Sequence, residues 1–507
     1  MATEQSPQRG YRAACPNCGA PVDFRSPASA FAVCGFCKST VVREGDALRK
    51  IGESAELFDD HSPLQLGAAG KFQGAAFTLV GRLQYRYAEG TWNEWHALFE
   101  NGKSAWLSEA NGRYVLAIDA PLEGGAPAAT GLKAGVQMMV AGQAWTVASV
   151  SAAKLIAAQG EMPTAPNLTR GFVVSDLRNA RGEVGTLDYS EPGRPRWSVG
   201  RSVAITELAM TGLAESSEKT LKARGVECPN CGAALEIKLS TTQSIACHQC
   251  ASVVDVSQGV GGDLAHYTQA NGSEPLIPLG STGTLALTGG TALPWQVVGY
   301  VERREVAESP DDEQTFWREY LLYHRTEGFA FIVDAQDGWS WTAPITGVPE
   351  KAGDNLRYQA VLYRKLYDYT GMVTYVLGEF YWQVTKNQRT LNSDYQGTGA
   401  AATRRLNREM TGSGDTSEIV WSGGDTLSAD QVIRAFKLAP EKSAAVQRDA
   451  LPTALGGSST LVKIAIWAVI IIVMLLLFRC GSDGDGSGYR TGGGSYGGFS
   501  SGGGGHK

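Results

Sequence analysis

Hydrophobic positions along this chain come in short runs rich in β-branched and aromatic residues, punctuated by glycine-containing turns: Phe77 to Leu83, Val136 to Val140, Trp145 to Val150, Gln296 to Val301 and Met372 to Leu377. Strands at this spacing predict a small sandwich or barrel. Helical periodicity is scarce. The best stretches are Glu313 to Tyr323, which also reads as a strand, Ala400 to Glu409, and Ser428 to Phe436, which follows an Asp425-Thr-Leu-Ser428 cap region. Asp415 to Asp425 and Lys442 to Thr460 read as linkers or loops. The pattern changes near the carboxyl end, where Leu461 to Phe478 reads LVKIAIWAVIIIVMLLLF with Lys463 as its one charge. At 1.5 Å per residue this segment covers roughly 27 Å, about the hydrocarbon thickness of a bilayer, and predicts one transmembrane helix. A buried core helix is the alternative, but the following residues 479–507 are too Gly-rich to surround it and are expected to be disordered.

The cysteines add a metal. Cys15, Cys18, Cys34 and Cys37 read C-x2-C-x15-C-x2-C, and Cys228, Cys231, Cys247 and Cys250 repeat that spacing 213 positions later. Paired C-x2-C knuckles offer four thiolates to one tetrahedral ion, so two zinc ribbons and two structural Zn2+ ions are expected. The segment Cys15-Pro-Asn-Cys18-Gly19 recurs as Cys228-Pro-Asn-Cys231-Gly232. The duplication runs on beyond the cysteines. Leu66-Gly67, Gly70 and Phe72 align with Leu279-Gly280, Gly283 and Leu285; an insertion near Gly289 then lengthens the offset to 218, pairing Phe77 to Gly81 with Trp295 to Gly299. Glu94-Trp95 pairs with Glu319-Tyr320, Gly160-Glu161 with Gly378-Glu379, and Trp197-Ser198 with Trp421-Ser422. A weaker repeat inside each unit sets Gly67, Gly74, Phe77 and Val80 against Gly135, Gly142, Trp145 and Ala148, which suggests two related halves.

The expected organisation is therefore mainly β: a ribbon at 10–45, a β-rich module at 62–210, a ribbon at 224–257, a second module at 275–438, a linker at 439–460, the membrane helix at 461–478 and the tail at 479–507.

Charge and redox chemistry narrow the function. A net charge of −6 gives no global basic field for phosphate backbones, and the local excess of Arg9, Arg12, Arg25, Lys38 and Arg43 over Asp23 reads as a solvated face. Eight of the nine cysteines lie in the two arrays, leaving Cys480 alone, so the arrays belong in a reducing compartment. With a polar start unlike a secretory signal, the domains before the helix are expected in the cytoplasm, on a single-pass protein of the inner membrane.

Four thiolates leave no coordination position for water or substrate, so metal catalysis is not expected. His248, between Cys247 and Cys250, reads as a solvated knuckle residue, and His61, His96, His266, His324 and His506 form no spaced pair. Glu94 with Glu319, and Glu161 with Glu379, are the acidic residues present in both copies; a shared fold accounts for them more simply than acid–base work. The tryptophans Trp92, Trp95, Trp295, Trp317, Trp339, Trp341 and Trp382 read as β-fold core rather than as a ligand groove.

Phe77-Thr-Leu-Val-Gly81, Trp92-Asn-Glu-Trp95 and Tyr375-Val-Leu-Gly-Glu-Phe-Tyr-Trp382 with Gln383-Val384 resemble the bacterial family called domain of unknown function 4178. The resemblance covers about Gln65 to Leu208 and Leu279 to Phe436. It implies no established activity, a frequent ribbon in front of the domain, and genomic company with membrane-stress and polyamine-related genes. The first copy departs from the second, with Gly160-Glu-Met-Pro163 where the other has Gly378-Glu-Phe-Tyr-Trp382. Three functions are set against one another. The favoured one is a membrane-tethered, non-catalytic zinc scaffold with a protein partner. The second is an enzyme or binder of a cationic or lipid-related substrate, acting through Glu161 or Glu379, and the third has ribbons that read nucleic acid.

Overall fold

The computed structural model describes residues 11–446, apart from 26–28, 45–46, 54–61, 88–89, 111, 123, 215–223, 239–241, 257–263, 271, 288–289, 308–313, 346 and 413–417. The expected membrane segment Leu461 to Phe478, the Gly-rich tail and Cys480 lie outside the described residues. Among the described residues no helix is long and apolar enough to cross a membrane.

The first copy opens with a cysteine-rich unit: β1 (Tyr11–Ala14), β2 (Pro21–Phe24), β3 (Phe31–Val33), β4 (Ser39–Glu44) and β5 (Ala47–Glu53). Two five-stranded meanders follow. One is β6 (Ala69–Phe72), β7 (Ala75–Tyr87), β8 (Gly90–Phe99), β9 (Ser104–Ala110) and β10 (Arg113–Asp119). The other is β11 (Gln137–Val140), β12 (Gln143–Met162), β13 (Gly171–Arg178), β14 (Glu183–Asp188) and β15 (Arg196–Val203). Their last strands pair, β10 with β15, and so do their long second strands, β7 with β12, all antiparallel. These two joints close an eight-stranded ring, β7-β8-β9-β10-β15-β14-β13-β12. Closure removes the free edges that an open sheet would expose.

The weak internal repeat marks these two meanders. Each begins with a tight hairpin whose turn residues have positive φ, Gln73 (49°) and Gly74 (84°) in one, Ala141 (47°) and Gly142 (75°) in the other. Two consecutive left-handed residues form the turn that matches strand twist, and glycine adopts it without steric cost. Each meander packs one face on its own core: Phe77, Leu79, Trp95 and Leu107 in the first, Trp145, Val147, Leu177 and Trp197 in the second. The opposite faces look into the ring.

The second copy repeats the plan. Its cysteine-rich unit is β16 (Arg224–Glu227), β17 (Ala234–Ile237), β18 (Ser244–Ala246), β19 (Val253–Asp255) and β20 (His266–Tyr267). The first meander is β21 (Thr282–Ala286), β22 (Ala292–Glu305), β23 (Phe316–His324), β24 (Gly328–Ala335) and β25 (Gly338–Pro344). The second is β26 (Glu350–Ala352), β27 (Asn355–Tyr358), β28 (Val361–Phe380), β29 (Arg389–Gly397), β30 (Arg404–Thr411) and β31 (Glu418–Leu427). Pairing of β25 with β31 and of β22 with β28 closes the corresponding ring.

Helix α1 (Ala429–Phe436) starts where the cap region places it, with a capping box between Ser428 and Gln431. It and α2 (Pro440–Val446) bury Val432, Phe436 and Val446 against the first-meander core of the second copy, and the Trp339 indole donates to the Val446 carbonyl at 3.0 Å. Part of the stretch read as a linker from Lys442 is therefore packed helix. The stretch to Tyr323 is a strand, the second of its two readings. Two expectations are corrected. Ala400 to Glu409 is a 3-10 turn at Gly399–Ala401 followed by β30, where Arg405, Asn407 and Glu409 alternate inward and are buried; polar residues carry the strand period, which hides it from a hydrophobicity reading. Asp415 to Asp425 is mostly β31, whose glycines permit close approach, since a Cβ on Gly424 would lie 1.7 Å from the Trp341 carbonyl oxygen.

Candidate metal centres and ring interiors

In each cysteine-rich unit the two knuckles face one another. Sulfur separations are 3.6 Å for Cys15–Cys37 and 3.7 Å for Cys18–Cys34, and 3.7 Å for both Cys228–Cys250 and Cys231–Cys247. Four sulfurs at about 2.3 Å from a tetrahedral ion lie roughly 3.8 Å apart, so both sets have the size of a loaded site. The knuckles bend through left-handed residues, Gly19 and Lys38 in the first unit, Gly232 and Ala251 in the second. The amide of Asn17 points at the Cys15 sulfur and that of Gln249 at Cys247, both at 3.4 Å. Hydrogen bonds with Ser39 and with Ser252 lead the interactions that lower the Cys37 and Cys250 thiols to about 5, whereas the neighbouring cysteines and desolvation push Cys18 and Cys231 up to about 12, so without a metal the protons are shared unevenly within each tetrad. The eight cysteines expected as ligands thus gather into two tetrads, each placed to hold one ion.

Each unit is stitched into its own ring. Strand β3 pairs with the end of β12, and β18 with the end of β28, so that Ala32 faces Glu161 and Ile245 faces Glu379. The Glu161 carboxylate accepts the Arg25 amide at 2.6 Å; the Glu379 carboxylate accepts the Lys238 amide at 3.0 Å and the Thr242 hydroxyl at 2.7 Å. Both carboxylates are buried, and these bonds compensate that burial. The preceding glycines make the crossing possible: Gly160 (φ 75°) and Gly378 (φ 86°) lie so close to β7 and β22 that a Cβ would meet the Val80 or Val298 oxygen at 2.3 and 2.2 Å. Glu161 and Glu379, weighed as catalytic carboxylates, serve here as joints between cysteine unit and ring.

The ring interiors differ. Strand registers make Tyr85 and Arg303 equivalent, because Leu155 faces Tyr85 and Val373, 218 positions later, faces Arg303. Glu94 and Glu319 correspond in the same way through Leu83 and Val301, and Asp188 and Glu409 through the Ser151–Val174 and Tyr369–Asn392 pairs. In the second ring Arg303 is fully buried, with Nε 3.1 Å from Glu319, Nη1 3.7 Å from Glu409, and Nη1 donating to Thr390 at 3.3 Å. The Trp317 indole donates to Glu319 at 2.8 Å. Burial raises Glu319 to about 7, against the opposing pull of Arg303 and Trp317. Phe380, Tyr381 and Trp382 complete the filling, Tyr381 and Trp382 lying against Phe329 and Phe331.

The first ring instead encloses a cavity of about 240 Å³, lined from strands around the ring and from the loop after β12. Tyr85 stands where the second ring has arginine, and Met162, Pro163 and Thr164 stand where it has Phe380, Tyr381 and Trp382. Five carboxylates line the cavity, from Glu94, Asp119, Asp176, Asp188 and Glu191, against two guanidinium groups, from Arg170 and Arg196. Glu94 accepts from the Trp92 indole at 3.1 Å and the Ser108 hydroxyl at 2.6 Å; Asp176 accepts from Thr186 at 2.9 Å; Asp188 accepts from Arg196 at 2.5 Å. Three aromatic rings form the apolar wall: Tyr85 stacks on Trp92 with centroids 4.8 Å apart and meets Phe172 edge-on at 5.8 Å. Burial, with Asp188 and Glu94 nearby, pushes the Tyr85 phenol far above its ordinary range, so it stays neutral.

Of the acidic pairs singled out in the sequence, Glu94 and Glu319 do face ring interiors, whereas Glu161 and Glu379 do not line the cavity. Most of the tryptophans pack in cores as expected, but Trp92 lines the cavity. Asp176, Asp188, Arg196, Arg303 and Glu409 escaped the sequence reading. The signal for the central exchange was present, since the 218 offset sets Tyr85 against Arg303 and Thr164 against Trp382.

The family described as Domain of unknown function (DUF4178) matches residues 65–204 and 280–429, one match to each ring. No curated protein and no solved structure matches the chain.

Proposed function

The chain belongs to the DUF4178 family, in two tandem copies, and from that premise we propose that it is a non-catalytic binding and scaffold protein, stapled by zinc and tethered to the membrane. The first ring receives a small ligand and the second acts as its filled structural partner. The observation that carries this reading is the contrast between a 240 Å³ cavity in one ring and Arg303 with its aromatic neighbours in the other. That volume lies below the roughly 300–1,000 Å³ of sites for drug-sized ligands, so the occupant is small. Zinc suits four thiolates at these separations and leaves no open coordination position, which gives the ions a structural role. With Glu161 and Glu379 engaged in holding the cysteine units, neither is left for acid–base work in the cavity.

In this reading the apolar segment 461–478 is the tether, and the need for reduced thiols favours the cytoplasmic side of a bacterial inner membrane for the rings. Tethering raises the local concentration of a protein partner at that surface. The net charge of −6 disfavours nucleic acid in that role.

The test is a fragment screen by ligand-observed NMR on the full chain in detergent, run beside Thr164→Trp, which puts into the first ring the residue that fills the second. Fragments that bind the wild type and are lost in the variant support the reading. Fragments indifferent to the substitution, or none at all, refute it. Metal analysis of the same preparation should give two zinc ions per chain, and deletion of 461–478 should release the protein from membranes.

A further inference from the structure

The two rings hold corresponding carboxylates but arrange their cations differently: in the second a single guanidinium, Arg303, lies between both, whereas in the first Arg196 from β15 pairs with Asp188 and Glu94 faces the cavity. Glu319 and Glu409 converge on the Arg303 guanidinium; their equivalents Glu94 and Asp188 face a cavity, with Tyr85 at the arginine's position. We propose that the first ring binds a small organic cation, a guanidinium or primary ammonium group on a short alkyl stem, whose charged head takes the place that Arg303 occupies in the second ring. This deepens the binding role proposed above and rests on it.

Three observations converge. The lining carries five carboxylates against two guanidiniums, and both arginines come from other sequence positions than Arg303: Arg196 comes from β15 to pair with Asp188, and Arg170 is exposed in the loop between β12 and β13. The wall of Tyr85, Trp92 and Phe172 offers aromatic faces to a cation and to its alkyl stem. The rim is exposed at Asp119 and Glu191, whereas Glu94 and Asp176 are buried. The exposed lining thus carries two carboxylates against the one guanidinium of Arg170, and a cation that passes it reaches hydrogen-bonded carboxylates inside, where Coulomb attraction is least screened.

The second ring shows that this framework accommodates a guanidinium. There the head is held by carboxylates on β23 and β30 and by the Thr390 hydroxyl on β29. In the first ring Phe172 occupies the Thr390 position, replacing a hydrogen bond by a ring face, as suits a ligand that brings its own stem.

The experiment is calorimetric titration of the full chain in detergent with butylguanidinium, butylammonium and butylurea, the last being the neutral isostere of the first. Saturable binding of one or both cations, with butylurea on the order of tenfold weaker or worse, is the expected result. The two cations separate a preference for a planar fork from one for a point charge. Asp188→Asn and Glu94→Gln should each weaken the cation by roughly tenfold without changing butylurea. Tyr85→Arg, which supplies the missing guanidinium from the chain, should abolish cation binding while the zinc content and melting temperature hold. Equal affinity for butylurea and butylguanidinium would overturn the cationic assignment and leave the cavity a neutral binding site. Absence of binding by all three would also overturn it, and the Thr164→Trp fragment screen would then decide separately whether the ring binds any ligand.

Discussion

The carboxylate of Glu161 receives the backbone amide of Arg25 at 2.6 Å, across 136 positions of sequence. Glu379 and Lys238 repeat the joint in the second copy. The acidic residues retained in both repeats at this point thus hold a cysteine unit to its ring. Replacing Glu379 by Ala leaves the Lys238 amide and Thr242 hydroxyl without their buried acceptor and should cost about 1–3 kcal/mol. Chemical denaturation would measure the loss. The metal content should be unchanged, because no cysteine is touched, and faster proteolysis within the second cysteine unit should accompany the substitution.

Gly378→Ala should be worse than Gly353→Ala. Both glycines have positive φ, 86° and 67°, but a Cβ at 353 meets nothing within 4 Å, whereas one at 378 would lie 2.2 Å from the Val298 oxygen. Backbone strain alone costs about 1 kcal/mol or slightly more. The excess at 378 measures the closeness of the β22–β28 crossing, and equal melting temperatures for the two variants would contradict it.

Two carboxylates share one guanidinium inside the second ring, which makes its stability depend on pH. Glu319 is raised by burial to about 7 from an ordinary 4.5, so between those values the folded chain holds a proton that the unfolded chain releases. Stability from this group is therefore fully present below about 4.5 and is lost as pH rises through about 7. Glu319→Gln should remove that slope, and the difference in denaturation midpoint between wild type and variant should widen in the variant's favour as pH rises. Arg303→Met, in contrast, strands buried carboxylates and should cost about 3–5 kcal/mol near neutral pH.

The two metal sites should be separable. Cys18→Ser and Cys231→Ser should each reduce the metal content from two ions to one, as read by elemental analysis, and the double variant should bind none. Strong chelators should destabilise the wild type and have little further effect on the double variant, since a ligand stabilises only the state that binds it.

What the sequence disclosed and what it hid divide along physical lines. Cysteine spacing, the 218-residue offset and the tight glycine turns are local patterns, and each corresponds to a structural unit. The half-repeat led to the two meanders because Gly74 and Gly142 serve the same left-handed turn. Ring closure was hidden, since the pairing of β7 with β12 joins residues far apart and leaves no local trace. The strand character of Arg404 to Thr411 was masked because its inward positions are Arg405, Asn407 and Glu409, of which Asn407 donates to Asp394 on β29 and Glu409 lies 3.7 Å from Arg303 on β22. The cavity was hidden for a related reason. It is defined by a difference between equivalent positions, Tyr85 against Arg303, which becomes visible once the registers are known.

The stitching of β3 to the end of β12 also bears on how the chain is made. A ribosome delivers Cys15 to Cys37 long before Gly160 to Met162, the strand that must receive Phe31 to Val33. At about 5–20 residues per second, the first cysteine unit waits several seconds or more without its sheet partner. A metal ion bound by the four thiols during that interval would hold the knuckles together, so metal supply at the moment of synthesis should affect the yield of correctly closed rings.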